Sequence, residues 1–99
     1  MATSTNTVGL PIAIGIEVTD LALVVTLADG RVVSAPLTWY PRLSHGTKTE
    51  QANHRLIGGG IGMHWSELDE DISVENLLAG KRSAEKQASL KAWLSKRAG

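Results

Sequence analysis

Leu21-Ala22-Leu23-Val24-Val25-Thr26-Leu27-Ala28-Asp29-Gly30-Arg31-Val32-Val33-Ser34-Ala35 is two runs of aliphatic and β-branched residues about one Asp-Gly pair. Branching at Cβ suits the pleated backbone. The Asp-Gly pair tolerates the positive φ that both central positions of a two-residue hairpin turn require. The spacing therefore predicts a hairpin of Leu21–Leu27 with Arg31–Ala35. Working toward the N-terminus, Ile16 to Thr19 reads as a further strand, joined through a tight bend at Asp20, which makes a three-stranded antiparallel meander. Residues 1–12 are expected to be a flexible lead. Their apolar stretch, Val8 to Ile16, lacks the basic start of a signal peptide and is broken by Pro11. It is also far short of the roughly 20 residues that span a bilayer, so no membrane role is expected.

Toward the C-terminus, Pro36 and Pro41 bracket Leu37-Thr38-Trp39-Tyr40, and a residue without an N–H ends a sheet or marks its edge. Thr47-Lys48-Thr49-Glu50 is a capping box. It predicts a central helix from Lys48 to Leu56, with Ala52, Leu56 and the stem of Arg55 toward the sheet, stopped by Gly58-Gly59-Gly60. Ile61 to Trp65 alternates as a fourth strand, and Glu67 to Ile72 is read as too acidic and irregular for a regular element. Ser73 caps a short helix, Val74–Ala79, closed by Gly80. Ser83 caps an amphipathic last helix, residues 83–97, with Ala84, Ala88, Leu90, Trp93 and Leu94 on one face. The expectation is an α+β fold: a small antiparallel sheet of a three-stranded meander plus a fourth strand, with a central helix and C-terminal helices.

Ninety-nine residues and 10.5 kDa suit one domain, 1–99. Ten basic against ten acidic side chains give a formal net charge of zero, so no global field draws the chain to nucleic acid. The zero hides a segregation. Residues 67–80 hold Glu67, Asp69, Glu70, Asp71 and Glu75 with no base, whereas residues 81–99 hold six bases against Glu85. Without Cys there are no disulfides, thiolate metal sites or cysteine nucleophiles, which fits a cytoplasmic setting.

The alternation Asp69, Asp71, Ser73, Glu75 invites a calcium loop, but Val74 and Gly80 stand where an EF-hand requires Gly and Glu. The glycines at 58–60 follow a predicted helix instead of opening one, against a phosphate cradle. His45, His54 and His64 are too scattered to specify zinc, and no nucleophile elbow accompanies them. No metal or other cofactor is expected. Of the four large aromatic residues, Trp93 is the best candidate partner anchor, on a helix that either folds back or docks elsewhere.

Pro36 to Leu43, then Leu56-Ile57-Gly58-Gly59-Gly60-Ile61-Gly62-Met63-His64-Trp65, then Leu68 to Gly80, with the Asp29-Gly30-Arg31 turn, resemble the small bacterial domain of unknown function 2442. The resemblance covers a core of residues 16–80, with Ser66 where relatives usually carry Pro. It implies a compact α+β fold without a known cofactor. It also implies a place beside a second small protein of toxin-like type, hence an antitoxin or partner-binding role. Some relatives carry an added DNA-binding domain; this chain shows none, so direct nucleic-acid binding is not expected. The leading expectation is a non-enzymatic protein-binding module that meets a small protein through Glu67, Asp69, Glu70, Asp71 and Trp93. The alternatives are a structural homo-oligomer, such as a homodimer, and a small enzyme.

Overall fold

A computed structural model describes residues 11–98. The predicted meander is there: β1 (Ala13–Val18), β2 (Ala22–Leu27) and β3 (Val32–Pro36) pair antiparallel in chain order. Alternation sends Leu23, Val25 and Leu27 into the core, with Ala13 and Ala35 beside them. The hairpin turn is one residue longer than expected. The Leu27 N–H donates to the Arg31 carbonyl at 2.8 Å, so the loop is Ala28-Asp29-Gly30 and only Gly30 has positive φ, at 95°. Asp29 keeps a negative φ and accepts the Arg31 N–H at 3.0 Å, which stabilises the three-residue form. Of the predicted flexible lead, residues 1–10 lie outside the described residues. The Ile12 carbonyl accepts the Ala28 N–H at 2.8 Å and so belongs to the sheet.

After β3 the chain turns through Leu37–Trp39 into α1 (Pro41–Ser44), then α2 (Lys48–Ala52). The capping box forms as predicted: Thr47 Oγ1 accepts the Glu50 N–H, and the Glu50 carboxylate accepts the Thr47 N–H. The helix is shorter than predicted because Asn53 leaves helical φ/ψ. His54–Ile57 becomes β4, which pairs with β5 (Gly62–Trp65), and β5 pairs in turn with β6 (Glu70–Ser73). The fourth strand is thus the centre of a second three-stranded antiparallel sheet, and the acidic segment supplies that sheet's third strand. The physical reason is pairing: Met63 and Trp65 can bury one face of β5 only if its backbone is bonded on both sides. Gly58, Gly59 and Gly60 therefore serve as the β4–β5 turn, all at positive φ, and not as a helix stop. The two sheets approach at Gly60, where an added Cβ would meet Ile12 Cγ2 at 2.5 Å and the Ala13 carbonyl at 2.6 Å.

The core lies between the sheets and the short helices, around Leu23, Leu27, Leu43, Met63, Trp65, Leu68 and Val74. Trp65 is fully buried, and its Nε1–H donates to the Gln51 carbonyl at 3.0 Å. Gln51, also buried, donates from Nε2 to the Leu43 carbonyl at 2.9 Å, so both polar groups of this contact are satisfied. The chain then forms α3 (Val74–Leu78), where Ser73 Oγ accepts the Asn76 N–H as a cap, and α4 (Gln87–Ala98). Helix α4 starts three residues later than predicted, since Ser83 Oγ accepts the Glu85 N–H in a local turn instead. Leu90, Trp93 and Leu94 are half-buried, whereas Ala84 and Ala88, read as part of the same face, are exposed. Among the described residues no helix is long and apolar enough to cross a membrane.

Candidate functional site

Pairing registers place Trp65, Met63, Ile72 and Glu70 on the inner face of the second sheet, and Arg55, His64, Asp71, Ile57, Gly62 and Ser73 on its outer face. This alternation divides the acidic residues by role. Asp71 points outward, its side chain 67% exposed, and pairs with the His64 ring. Asp69 stands at the β5–β6 turn with φ 51°, its side chain 85% exposed, with a long 3.5 Å contact from Arg42. Glu67, on the same turn, accepts from Asn53 Nδ2 at 2.9 Å. Glu70 points inward and is only 8% exposed. The alternating oxygens at 69, 71, 73 and 75 do not converge as a metal cage, because Asp71 goes to His64 and Ser73 to the α3 cap.

Trp93 folds back. It packs against the core, with the Arg42 guanidinium 5.1 Å from its ring centre and that of Arg97 at 4.7 Å. Each arginine is held by a carboxylate: Arg42 by Glu85, at 2.6 and 3.3 Å, and Arg97 by Glu50, at 2.7 and 3.0 Å. The tail segment is thus tied by two pairs, its Arg97 to Glu50 and its Glu85 to Arg42, rather than by the acidic run.

Two concavities flank β6. A groove of about 380 Å³ is lined by the exposed Ile57 and Ile61 together with Gly62, Asp71, Ser73 and Asn76, and reaches the edge of the buried Ile72. On the inner side a cavity of about 270 Å³ is bounded by Tyr40, Glu70 and the segment 81–84. That segment is pinned by the Ser83 N–H donating to the Trp39 carbonyl at 3.0 Å and the Lys81 N–H to the Asn76 carbonyl at 3.0 Å. Burial, then the negative charge of Glu85, pushes the Glu70 carboxyl up to about 7, with Arg42 opposing and Asp71 and Asp69 adding to the rise. Burial and the nearby Glu70 also raise the Tyr40 phenol. Glu85 is held below the ordinary carboxylate range by the Arg42 guanidinium and then by the Ser89 hydroxyl.

Sequence reasoning missed Tyr40, Arg42 and Glu85. A single signal pointed toward the cavity: in Glu70-Asp71-Ile72 the period-2 alternation puts Glu70 on the same face as apolar Ile72.

A crystal structure of a protein of unknown function from Rhodospirillum rubrum is similar in fold, with a TM-score of 0.65 at 24% identity, covering 81% of this chain and 96% of that one. A solution NMR structure of an uncharacterized protein from Chromobacterium violaceum is similar with a TM-score of 0.64 at 19% identity, covering 87% of this chain and 75% of that one. No curated protein matches the chain. The six strands and the turns between them lie within residues 13–83, which match the family described as protein of unknown function DUF2442, and the chain belongs to that family.

Proposed function

We propose that this chain is a non-enzymatic protein-binding module whose contact surface is the outer face of the second sheet. The observation that carries this reading is the groove of the exposed Ile57 and Ile61 beside the exposed carboxylate of Asp71. Solvent-facing apolar area rimmed by charge is the anatomy of an interface, and carboxylates at the rim steer a basic partner. The finer form of the proposal is an antitoxin-like role toward a small basic protein of the same host, which the family resemblance implies. In the cell this is a cytoplasmic encounter.

The test is to isolate the tagged full chain from its host, identify a stoichiometric small protein by native mass spectrometry, and measure its association rate. Glu67→Gln, Asp69→Asn and Asp71→Asn together are expected to slow association at low salt by roughly tenfold with little change in dissociation. An unchanged rate overturns the surface. The exposed Ile14 and Val32 of the first sheet favour a second reading, self-association. A dimer that persists at nanomolar concentration in sedimentation selects that reading instead.

A further inference from the structure

The groove of Ile57 and Ile61 lies beside the point at which the chain enters the fold. These two isoleucines flank the turn of Gly58, Gly59 and Gly60, and they are 37% and 44% exposed. In that turn Gly60 packs so closely on the start of β1 that an added Cβ would meet Ile12 Cγ2 at 2.5 Å and the Ala13 carbonyl at 2.6 Å. Ile12 is fixed there, because its carbonyl accepts the Ala28 N–H at 2.8 Å. The entry point thus touches the residue next to Ile61.

Val8-Gly9-Leu10-Pro11 precedes this point, with residues 8–10 outside the described ones. Its reach follows from chain geometry. An extended residue spans about 3.3–3.6 Å, so three of them carry Leu10 and Val8 across roughly 10 Å from a fixed Ile12. Pro11 biases the residue before it, Leu10, toward extended backbone. Side chains two apart on an extended segment share a face, which sets Val8 and Leu10 side by side with Gly9 between them. The segment carries no charge. The groove has one carboxylate in its lining, Asp71, which pairs with His64 and is exposed, so an aliphatic segment seated on Ile57 and Ile61 leaves that charge in water. Tethering decides between occupants. Closing so short a loop costs little chain entropy, and it gives the segment an effective concentration in the millimolar range, which a second copy or a separate protein does not reach in dilute solution.

We propose that Val8 and Leu10 seat on Ile57 and Ile61, so that the chain's own N-terminal segment covers the groove and a protein partner reaches it only by displacing that segment. Two aliphatic side chains make a cover that a full interface can replace. The contact is intramolecular, so it stands or falls separately from the protein-binding reading.

The experiment is methyl NMR on the full chain, carbon-13 labelled at the methyl groups of Ile, Leu and Val. Cross-peaks from the Val8 and Leu10 methyls to those of Ile57 and Ile61 are expected, unchanged on dilution. Leu10→Ser is expected to remove them and to shift the Ile57 and Ile61 resonances, while the buried Leu23, Val25 and Leu43 keep theirs. In the reverse direction Ile61→Ser, at an exposed position, is expected to move the Leu10 methyls toward their values in an unfolded peptide. Absence of the cross-peaks overturns the proposal, as does a Leu10→Ser chain in which both isoleucines stay unmoved. Cross-peaks that fade on dilution overturn it in favour of a second copy on the groove. The protein-binding reading fails by a different result, the absence of a stoichiometric partner, which leaves these cross-peaks as they are.

Discussion

Glu70 occupies the inward slot of a strand whose other acid, Asp71, faces water, and this makes it a liability at high pH. Its carboxyl is raised from 4.5 to about 7 in the folded chain. Below the unfolded value both states hold the proton and nothing is lost. Between the two values the unfolded chain releases a proton that the folded chain retains, so stability falls as pH rises, and above about 7 the loss is complete. Allowing for the solvent that reaches the cavity, the loss is about 2 kcal/mol. Glu70→Gln is therefore expected to raise the urea-unfolding free energy by about 1–2 kcal/mol at alkaline pH and to leave it unchanged below the ordinary carboxylate range. Equal effects at both pH values contradict the assignment. Glu50 runs the other way. The Arg97 guanidinium, and then the Thr47 N–H, hold it down at about 2, so its contribution is full above its unfolded value and is lost as pH falls through about 2.

At the scale of elements, the same Glu50 closes the α2 capping box and clamps α4 through Arg97. Glu50→Ala, which removes both the cap acceptor and the Arg97 partner, is expected to destabilise the chain by about 1–2 kcal/mol, and Arg97→Met, which spares the cap, by less. Chemical denaturation of both variants checks the order, and a larger loss for Arg97→Met would invert the argument. The β4–β5 turn gives a sharper contrast. Gly59, at φ 71°, has no atom near an added Cβ, so Gly59→Ala is expected to cost about 1 kcal/mol from backbone strain alone. Gly60, at φ 108°, would drive a Cβ into Ala13 and Ile12, and Gly60→Ala is expected to cost well over twice as much. Thermal melts of the pair decide it. These elements also show what the sequence makes legible. The Thr47 capping box and the Ser73 cap are local chemistry and read correctly, as does the pairing of the hairpin about Gly30, though its turn is one residue longer than the Asp-Gly pair predicts. Strands β4 and β6 did not, since His54–Ile57 continues a helical pattern and Glu70–Ser73 looks polar, and only pairing with β5 makes either a strand. The cavity was beyond reading for the same reason: Tyr40 and Glu70 are thirty residues apart and meet only once both sheets are built.

For the whole molecule, the question is what α4 contributes to a fold that the family match places within residues 13–83. The helix has no buried residue, yet it is not loose. It is attached by the half-buried Trp93, Leu90 and Leu94, by the Glu50–Arg97 pair, and by the stacking of Arg42 and Arg97 on the Trp93 ring. Partial burial of three apolar side chains, two cation–π contacts and one exposed ion pair suggest about 2–4 kcal/mol in all. A chain ended at Lys86 keeps both sheets, the Glu85–Arg42 pair and the segment 81–84 that closes the cavity. It is therefore expected to fold, with its unfolding free energy lower by that amount. Because part of the attachment is electrostatic and near the surface, the difference between full and shortened chains should shrink by roughly 1 kcal/mol in molar salt. Urea titrations of both chains at low and high salt measure it. A shortened chain that fails to fold would make α4 part of the core, whereas a salt-independent difference would assign its docking to the apolar contacts of Trp93, Leu90 and Leu94 and leave the arginine clamps without a share in stability.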